Sequence, residues 1–312
     1  MIEDKEIEAQ KSPFALRAGE IKTFDGKDGY VSMNQIVHKI NLGHINDLHF
    51  AILELVNEFE FITSRQLCQM LEYKGIEYKS QDKLNNKLEQ LVKSKILTRY
   101  YFTSEDGKGI YRIYCIEKMG KYLLTSRGID CKWQQSDNTK PVAMIKKRLA
   151  GNQVIIAYLM KVKAFDEYIV KPTLKAKTLG KIFKSSGGAV KLTKNSKSII
   201  FLFEVVRREE EWQKKLVDKM KMYKDFYDNY VPMDCGFNSL PQLIIVCEDE
   251  RHAAETFKEI VTNGLEISKI KLYFTTDLRQ IQENLAKTLI EFKLDEETNK
   301  YKIEEVELKL LD

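Results

Sequence analysis

Four polar side chains recur at helical spacing between Lys83 and Gln90. Lys83, Asn86, Lys87 and Gln90 stand at positions i, i+3, i+4 and i+7, so a helix would project them from the same side. Lysine ammonium groups can contact phosphates, and the amides of asparagine and glutamine can pair with adenine edges in the major groove. We call these four residues the recognition face. Their chemistry predicts contact with double-stranded DNA.

The four residues of the recognition face lie on one side only if the segment is a helix, and the opposite side of the segment has an apolar stripe, the row of apolar residues that such a helix would bury. That stripe consists of Leu84, Leu88, Leu91 and Val92. Two shorter amphipathic helices are predicted before it. The first begins at Asn46, and the second begins at the Thr63-Ser64 pair and ends at Gly75. The recognition face therefore lies on the third helix of a helical series.

A charged hairpin is predicted directly after the third helix. Residues 96–103 and 110–117 are rich in Ile, Tyr, Phe and Thr, which favours strands. The polar, glycine-containing segment 104–109 joins them as a loop. Three helices followed by such a wing predict a winged helix-turn-helix over residues 45–130.

The predicted DNA contacts fall into three groups. They are Lys83, Asn85, Asn86, Lys87 and Gln90 in the major groove, Arg99, Lys108 and Arg112 beside the hairpin, and Lys146, Lys147 and Arg148 for non-specific affinity. Glu105 and Asp106 lie at the tip of the hairpin loop and would repel phosphates. A winged helix that serves dimerisation or packing is therefore an alternative interpretation.

Length and composition predict two domains and an intracellular setting. The chain has 312 residues and 43% hydrophobic content, enough for two ordinary cores. Its five cysteines are widely spaced, odd in number and never form a C-x-x-C pair, which favours reduced thiols. No stretch approaches the roughly 18 apolar residues of a membrane span. A cytoplasmic protein without membrane contact is expected.

Positive charge is concentrated in the middle of the chain. Residues 139–197 contain fourteen lysines and arginines and two acids, a net charge of +12. Because the whole chain carries +5, the remainder carries −7. This distribution favours a surface that faces a polyanion, although a solvated lysine-rich face is the alternative.

The predicted elements divide the chain into five segments. They are a loosely structured polar lead-in at 1–44, the winged helix at 45–130, a linker at 131–141, an α/β domain at 142–290 and an acidic tail at 291–312 that adds edge strands. Within 142–290, predicted helices at 142–164, 209–230, 251–263 and 277–290 alternate with strands at 168–170, 189–193, 198–206, 243–247 and 271–275. The alternation predicts an α/β sandwich with a mixed central sheet, so the chain as a whole is of the α+β or α/β class.

One carboxylate stands out in the second predicted domain. Glu204 lies near the end of the apolar strand Ser198–Val206. A charged group leaving a hydrophobic strand is costly unless a metal, a cation or solvent meets it. Glu204 is therefore the candidate catalytic residue, and an ion pair with Arg207, Arg208 or a lysine is its structural alternative.

The layout of these elements resembles the replication-relaxation family of plasmids and integrative elements. The resemblance spans residues 46–276 and rests on the order of elements, the Tyr111-to-Gly128 close of the winged helix and the Phe203-Glu204-Val205 strand. It implies a winged helix coupled to a domain like the PD-(D/E)XK nucleases, and a role in replication or conjugative DNA processing.

The sequence departs from what an active nuclease of that type would need. Such an enzyme places an acid on the strand before the glutamate and a lysine two residues after it, to hold a divalent ion and stabilise the transition state. Here the strand Ala189–Thr193 has no acid, and Val206 stands at the lysine position. A nuclease-like scaffold without catalysis is expected, and a metal-dependent nuclease using Glu204 is the alternative.

Other catalytic chemistry is not indicated. The four histidines lack ligand spacing, and no glycine-rich phosphate loop is complete, so neither metal nor cofactor is predicted. Ser185–Gly188 is expected to be a mobile loop near phosphates. The sequence thus predicts a duplex DNA-binding protein of a mobile element, acting in plasmid replication, relaxosome assembly or regulation. A relaxase or replication initiator and a second copy of the chain are candidate partners, and a pure protein-interaction or transcription-regulatory module is a further alternative.

Overall fold

The computed structural model describes residues 12–105, 111–282, 284–295 and 300–308. Its N-terminal unit contains β1 (Ile21–Phe24), α1 (Met33–Asn41), α2 (Asp47–Phe59), β2 (Ile62–Thr63), α3 (Ser64–Tyr73), α4 (Gln81–Lys93), β3 (Leu97–Thr103), β4 (Arg112–Ile116) and α5 (Lys118–Ser126). The three helices and the hairpin therefore follow in the predicted order.

Local capping explains why α3 and α4 begin where they do. The Thr63 hydroxyl accepts from the backbone N–H of Gln66, whose side chain bonds back to the backbone of Thr63. The Ser80 hydroxyl caps α4 by accepting from the backbone N–H of Lys83. Helix α4 buries Leu84, Leu88, Leu91 and Val92, as its apolar stripe predicts.

Residues 21–41 correct the prediction of a loosely structured lead-in. Strand β1 pairs antiparallel with β3, so the small sheet has the order β1-β3-β4-β2. Helix α1 begins at a capping box formed by Ser32 and Gln35. The sequence did not predict these elements, because each is short, mixes charged and apolar residues, and gains most of its stability from packing on the rest of the unit. Residues 1–11 of the lead-in lie outside the described residues.

A short 3-10 helix, Gln135–Thr139, lies in the predicted linker and leads to the second unit. That unit contains α6 (Val142–Lys161), β5 (Phe165–Ile169), β6 (Thr173–Ala176), β7 (Lys181–Lys184), β8 (Ala189–Lys194), β9 (Lys197–Val205), α7 (Trp212–Asp228), β10 (Gln242–Cys247), α8 (Glu250–Thr262), β11 (Leu272–Thr276), α9 (Asp277–Gln282), β12 (Leu289–Asp295) and β13 (Lys300–Val306).

The large sheet is mixed, which confirms the predicted fold class. Within the described residues its order is β13-β12-β11-β10-β9-β8-β5. Strands β9, β10 and β11 are parallel, and the outer strands pair antiparallel. Strands β6 and β7 form a separate antiparallel hairpin that the sequence did not predict.

The end of the chain differs in part from the prediction. A single helix was expected over 277–290, but α9 ends at Gln282 and β12 begins at Leu289. Ile290 is buried and Phe292 stacks on Phe257 at 4.6 Å between ring centroids, so this stretch follows the period of a strand. The expected edge strands of the tail are present, because β12 and β13 form an antiparallel hairpin at the sheet edge.

The two faces of the large sheet carry different layers. Phe201, Phe203 and Val205 of β9 join a core cluster that includes α6 and the N-terminal unit. Ile200 and Leu202 face the other way and pack in a second cluster with α7 and α8. Since side chains alternate along a strand, Glu204 belongs to the α7 side. In the described part of the chain no helix has the length and apolar character to cross a bilayer.

Candidate nucleic-acid interface

The recognition face lies on the outside of α4. Lys83 and Asn86 are exposed and Lys87 is half-buried. Within the described residues, no hydrogen bond or ion pair engages these three side chains. Lys83 and Lys87 also line a groove of about 550 Å³ beside the start of α2 and Tyr78. Two ammonium groups and an amide are thus presented to solvent from one side of a helix.

Two of the predicted groove contacts are already engaged within the protein. Gln90 Oε1 lies 2.9 Å from His49 Nε2, and Asn85 Oδ1 accepts from the Gln81 amide at 3.2 Å. Burial lowers the pKa of His49, whose Nδ1 lies 3.1 Å from the backbone N of Asn46 and 2.9 Å from the Asn46 side-chain oxygen. With its oxygen occupied, Gln90 can offer only its NH₂ group, which excludes bidentate pairing with adenine in this rotamer.

His49 is a positioning residue that the sequence analysis missed. It lies on α2 and is buried, yet it fixes the side chain of Gln90 on α4. The histidines were weighed only as metal ligands, so a role in orienting an amide was not considered. A histidine three residues after an N-cap asparagine is the available signal, because that spacing forms the capping box seen here.

The hairpin arginines do not form the expected phosphate contact surface. Arg99 is buried and lies 2.6 Å from Glu89 and 2.8 Å from Asp25, which corrects its prediction as a DNA contact. Arg112 is exposed, and its Nε lies 3.6 Å from the same Asp25 carboxylate. Lys108 lies outside the described residues. Arg112 therefore stays available as a contact, whereas Arg99 fastens β3 to α4 and to the segment after β1.

The three predicted contacts on α6 are paired with acids. Lys146 is 1% exposed, and its Nζ lies 2.5 Å from Glu20. Arg148 is also buried and donates to the backbone oxygen of Val170. Lys147 is half-buried and pairs with Glu209 at 3.0 Å. Lys146 and Arg148 are therefore corrected from DNA contacts to structural cations, because α6 lies between the two units and not on the surface.

Several cations of the basic segment 139–197 are paired with acids, one from elsewhere in the fold and one from the segment itself. Lys177 lies 2.7 Å from Asp234, and Lys191 lies 2.9 Å from Asp166. Lys177 belongs to the β6–β7 hairpin, whose other three lysines, Lys175, Lys181 and Lys184, are also exposed. We call this hairpin, residues 173–184, the basic hairpin. It carries part of the outward-facing positive charge of the segment, and Lys163 and Lys197 are also exposed.

Glu204 lies in a small pocket of about 230 Å³ between β9 and α7. Its side chain is nearly buried and accepts hydrogen bonds from Tyr223 OH at 2.7 Å, Ser186 Oγ at 2.8 Å and the Ser186 backbone N–H at 3.2 Å. Burial and the Glu204 charge raise the pKa of Tyr223 well above its ordinary value, so its hydroxyl stays protonated and donates. Lys219 Nζ lies 3.9 Å from the carboxylate.

Ser185–Gly188 corrects the prediction of a mobile loop. The Gly187 N–H donates to Phe203 O at 2.9 Å, and the Phe203 N–H donates to Gly188 O at 2.9 Å. A Cβ on Gly187 would lie 2.6 Å from the Phe203 Cβ, so only glycine allows this close pairing. The segment is thus an ordered extension of β8 that presses Ser186 against Glu204.

Comparison with known proteins identifies the family. A family model described as replication-relaxation matches residues 53–238, more than half of the chain. The chain belongs to the replication-relaxation family. No curated protein sequence matches it significantly. A solved structure titled as that of restriction endonuclease FokI is similar at a TM-score of 0.27 and 10% identity, over 75% of this chain and 42% of that chain. The chain thus spans less than half of that endonuclease, and no functional argument follows from the likeness.

In this replication-relaxation protein a second carboxylate, Glu209, also lines the Glu204 pocket, but it is paired with Lys147 at 3.0 Å and with Lys215 at 2.7 Å. The group that faces Glu204 from the neighbouring strand extension is the Ser186 hydroxyl. A cation does lie beside the carboxylate, but Lys219 comes from α7 and not from β9, where Val206 stands. The sequence analysis sought the cation on the strand and missed Lys219, which is distant along the chain.

Proposed function

We propose that this replication-relaxation protein is a non-catalytic duplex DNA-binding protein of a mobile element. Its step would be plasmid replication, relaxosome assembly or the regulation of either, in the cytoplasm. The observation that carries the proposal is the pair of lysines on α4, Lys83 and Lys87, which project together with Asn86 and have no partner side chain within the described residues. A winged helix docks such a face in the major groove, with the hairpin beside the adjacent phosphates.

The two lysines would provide affinity, and the asparagine would provide sequence specificity. Lys83 and Lys87 would neutralise phosphates, which gives affinity without reading sequence. Asn86 is exposed and can pair with an adenine edge through both its oxygen and its amide nitrogen. Arg112 would contact the backbone beside the hairpin. A relaxase or replication initiator, or a second copy of the chain, would join on the DNA.

The test is a fluorescence-anisotropy titration of duplex DNA across roughly 50 to 200 mM salt. For the Lys83→Ala/Lys87→Ala variant we expect affinity to fall by about tenfold or more and the salt slope to fall by about 2, because two phosphate contacts are lost. The matched control is Lys214→Ala/Lys221→Ala, which removes two exposed lysines from α7. Equal binding by the Lys83/Lys87 variant and the control would reject the docking.

A metal-dependent nuclease using Glu204 is the second candidate. The observation that favours it is Lys219, which supplies a cation 3.9 Å from Glu204 in an open pocket. Two observations speak against it: the Ser186 hydroxyl faces Glu204 on the neighbouring strand extension, and the second carboxylate of the pocket, Glu209, is paired with Lys147 and Lys215. Cleavage of supercoiled plasmid with Mg²⁺ or Mn²⁺ that is lost in Glu204→Gln would favour the enzyme over the accessory protein. Salt-insensitive association with a protein and no retention of DNA would favour an interaction module.

A further inference from the structure

The backbone of Glu60, just after α2, has a rare conformation. Its φ is 64° and its ψ is −59°, and the Phe61 N–H donates to Phe59 O at 2.8 Å. These values define a γ-turn of the positive-φ form, which is strained for any residue with a Cβ. A strained non-glycine residue persists only where the surrounding structure fixes it, and such residues concentrate at functional sites.

Helix α6 fixes this turn from the second unit. The side-chain amide of Asn152 donates to Phe59 O at 3.1 Å and to Phe61 O at 2.7 Å, so it holds the carbonyl on each side of Glu60. Asn152 is fully buried. The turn is therefore held where the two units meet, and this geometry directs the Glu60 carboxylate into the space between them.

Three cations converge on that single carboxylate. Arg148 Nε lies 3.4 Å from it, Lys140 Nζ lies 3.8 Å from it, and Lys171 forms a direct ion pair with it. Asp137 offsets part of this charge, because it lies 2.9 Å from Lys140. Burial and repulsion from Arg148 lower the pKa of Lys171. The three cations exceed the two carboxylates, Glu60 and Asp137, by one positive charge. A phosphate that replaced the Glu60 carboxylate would therefore keep these half-buried cations paired.

Glu60, Asp137, Lys140 and Lys171 border a cleft of about 630 Å³ between the units, which we call the Glu60 cleft. Glu58, Asp130 and Lys132 also line it, whereas Arg148 is buried and does not. This volume is within the range of ligand sites, and such sites favour domain boundaries. Trp133 lines one side, and Lys171 and Lys184 line another. The exposed face of the basic hairpin continues from Lys184 to Lys175, so the positive surface leads out of the cleft. An extended polyanion fits this continuity better than a small free anion.

We propose that the Glu60 cleft binds a backbone phosphate of nucleic acid, and that Glu60 holds its cations together until the phosphate takes its place. The proposal rests on the DNA-binding function above and adds a contact outside the recognition face. A phosphate offers several acceptor oxygens, which suit the ammonium groups of Lys140 and Lys171 that line the cleft, and Arg148 behind them is held by the Val170 carbonyl. Counting along α2 at 1.5 Å per residue, the cleft lies about 17 Å from the groove at Lys83 and Lys87.

The experiment compares Glu60→Gln, Lys171→Ala and the control Lys221→Ala in duplex DNA titrations. Glu60→Gln keeps the side-chain shape and removes the competing charge, so we expect DNA affinity to rise by about threefold. Lys171→Ala should lower affinity by about fivefold and the salt slope by about 1. Lys221→Ala should change neither. A contact that only fastens the two units predicts the opposite sign for Glu60→Gln.

A second readout separates the source of the phosphate. The chain has two tryptophans, so in a Trp212→Phe background Trp133 reports from the cleft. We expect its fluorescence to change on adding DNA and not on adding ATP. A change with ATP alone, abolished by Lys171→Ala while DNA affinity is unaffected, would overturn the assignment to nucleic acid in favour of a free nucleotide. Lowered melting temperatures in both cleft variants with unchanged DNA and ATP binding would reject the site altogether.

Two further measurements keep the result interpretable. Lys140→Ala replaces Lys171→Ala if the latter does not fold, because Lys140 contacts the same carboxylate. Repeating the cleft substitutions in the Lys83→Ala/Lys87→Ala background separates the two proposals. If that background binds DNA like the wild type, the docking through α4 fails, while the effects of Glu60→Gln and Lys171→Ala still decide the cleft.

Discussion

The recognition face and the Glu204 pocket are both polar, but their side chains are engaged differently. Lys83 and Asn86 are exposed and Lys87 is half-buried, and within the described residues no hydrogen bond or ion pair engages their side chains. Glu204 accepts from Tyr223 and twice from Ser186, and it is nearly buried. A polar group that is already satisfied inside the protein stabilises the fold, whereas one that is left to solvent can bind a partner without losing internal contacts.

The largest expected effect is the loss of stability on replacing Glu204, the carboxylate that is engaged inside the protein. Glu204→Ala leaves the Tyr223 hydroxyl and the Ser186 N–H buried without an acceptor, so we expect the free energy of unfolding to fall by about 3 kcal/mol. Urea unfolding measures this loss, and Glu204→Gln, which keeps one acceptor oxygen, should lose less. DNA affinity of the folded Glu204→Gln protein should equal that of the wild type. Weaker DNA binding with intact stability would assign Glu204 to the interface.

Acidification should lower the free energy of unfolding through His252, which lies beside the Glu204 pocket. Burial, Arg208 and Arg207 lower the pKa of His252 to about 3, and its ring contacts Trp212 at the pocket wall. The unfolded ring has a pKa near 6.5 and is protonated more readily than the folded one. The stability that the neutral folded His252 contributes is therefore complete above pH 6.5 and is lost as the pH falls towards 3. The expected loss is about 2.5 kcal/mol between pH 7 and pH 4.5.

The control for this prediction is His252→Asn, whose side-chain oxygen can replace Nδ1 as the acceptor of the Glu248 N–H. Unfolding free energies of both proteins are measured from pH 7 to pH 4.5, and only the difference between them reports on His252. Parallel pH profiles would show that His252 titrates alike in the folded and unfolded states.

Arg99 and Lys87 allow the comparison to be made with two cations. Arg99 is paired inside the protein, and Lys87 is not. Arg99→Ala removes the nearest cation of Glu89 and of Asp25, which keep only Lys93 at 3.5 Å and Arg112 at 3.6 Å. Since both carboxylates are about one-third exposed, we expect a loss of about 1.5 kcal/mol in stability. Lys87→Ala should leave the melting temperature unchanged and lower DNA affinity. Measuring both quantities for both variants tests the distinction, which fails if Arg99→Ala weakens DNA binding more than it lowers stability.

The smallest expected effect concerns sequence reading by Asn86. Asn86→Ala should reduce discrimination at one A·T pair by about 1 kcal/mol, or about fivefold, without changing stability. The measurement is the ratio of Kd values for a selected duplex and the same duplex with that pair replaced. An unchanged ratio at every A·T pair of the site would leave Asn86 without a reading role.

The sequence by itself determined the elements whose signals are local. The apolar stripe of α4, its Ser80 cap and the Thr63 cap of α3 act within a few residues, so the helices and the outward direction of Lys83 and Lys87 could be predicted. The continuous apolar run of β9 likewise identified Glu204 as the carboxylate of a buried strand. Short elements such as β1, whose stability comes from pairing with β3, were not predictable in this way.

Only the tertiary structure decided which charges remain available. Three ion pairs join residues that are far apart in the sequence, namely Arg99 with Asp25, Lys146 with Glu20, and Arg148 with Glu60. The spacing of charges in the sequence does not indicate these partners. The same holds for the pairing of Lys219 with Glu204. Coulomb interactions depend on distance in space and on burial, so a local net charge of +12 does not by itself reveal which cations face a partner.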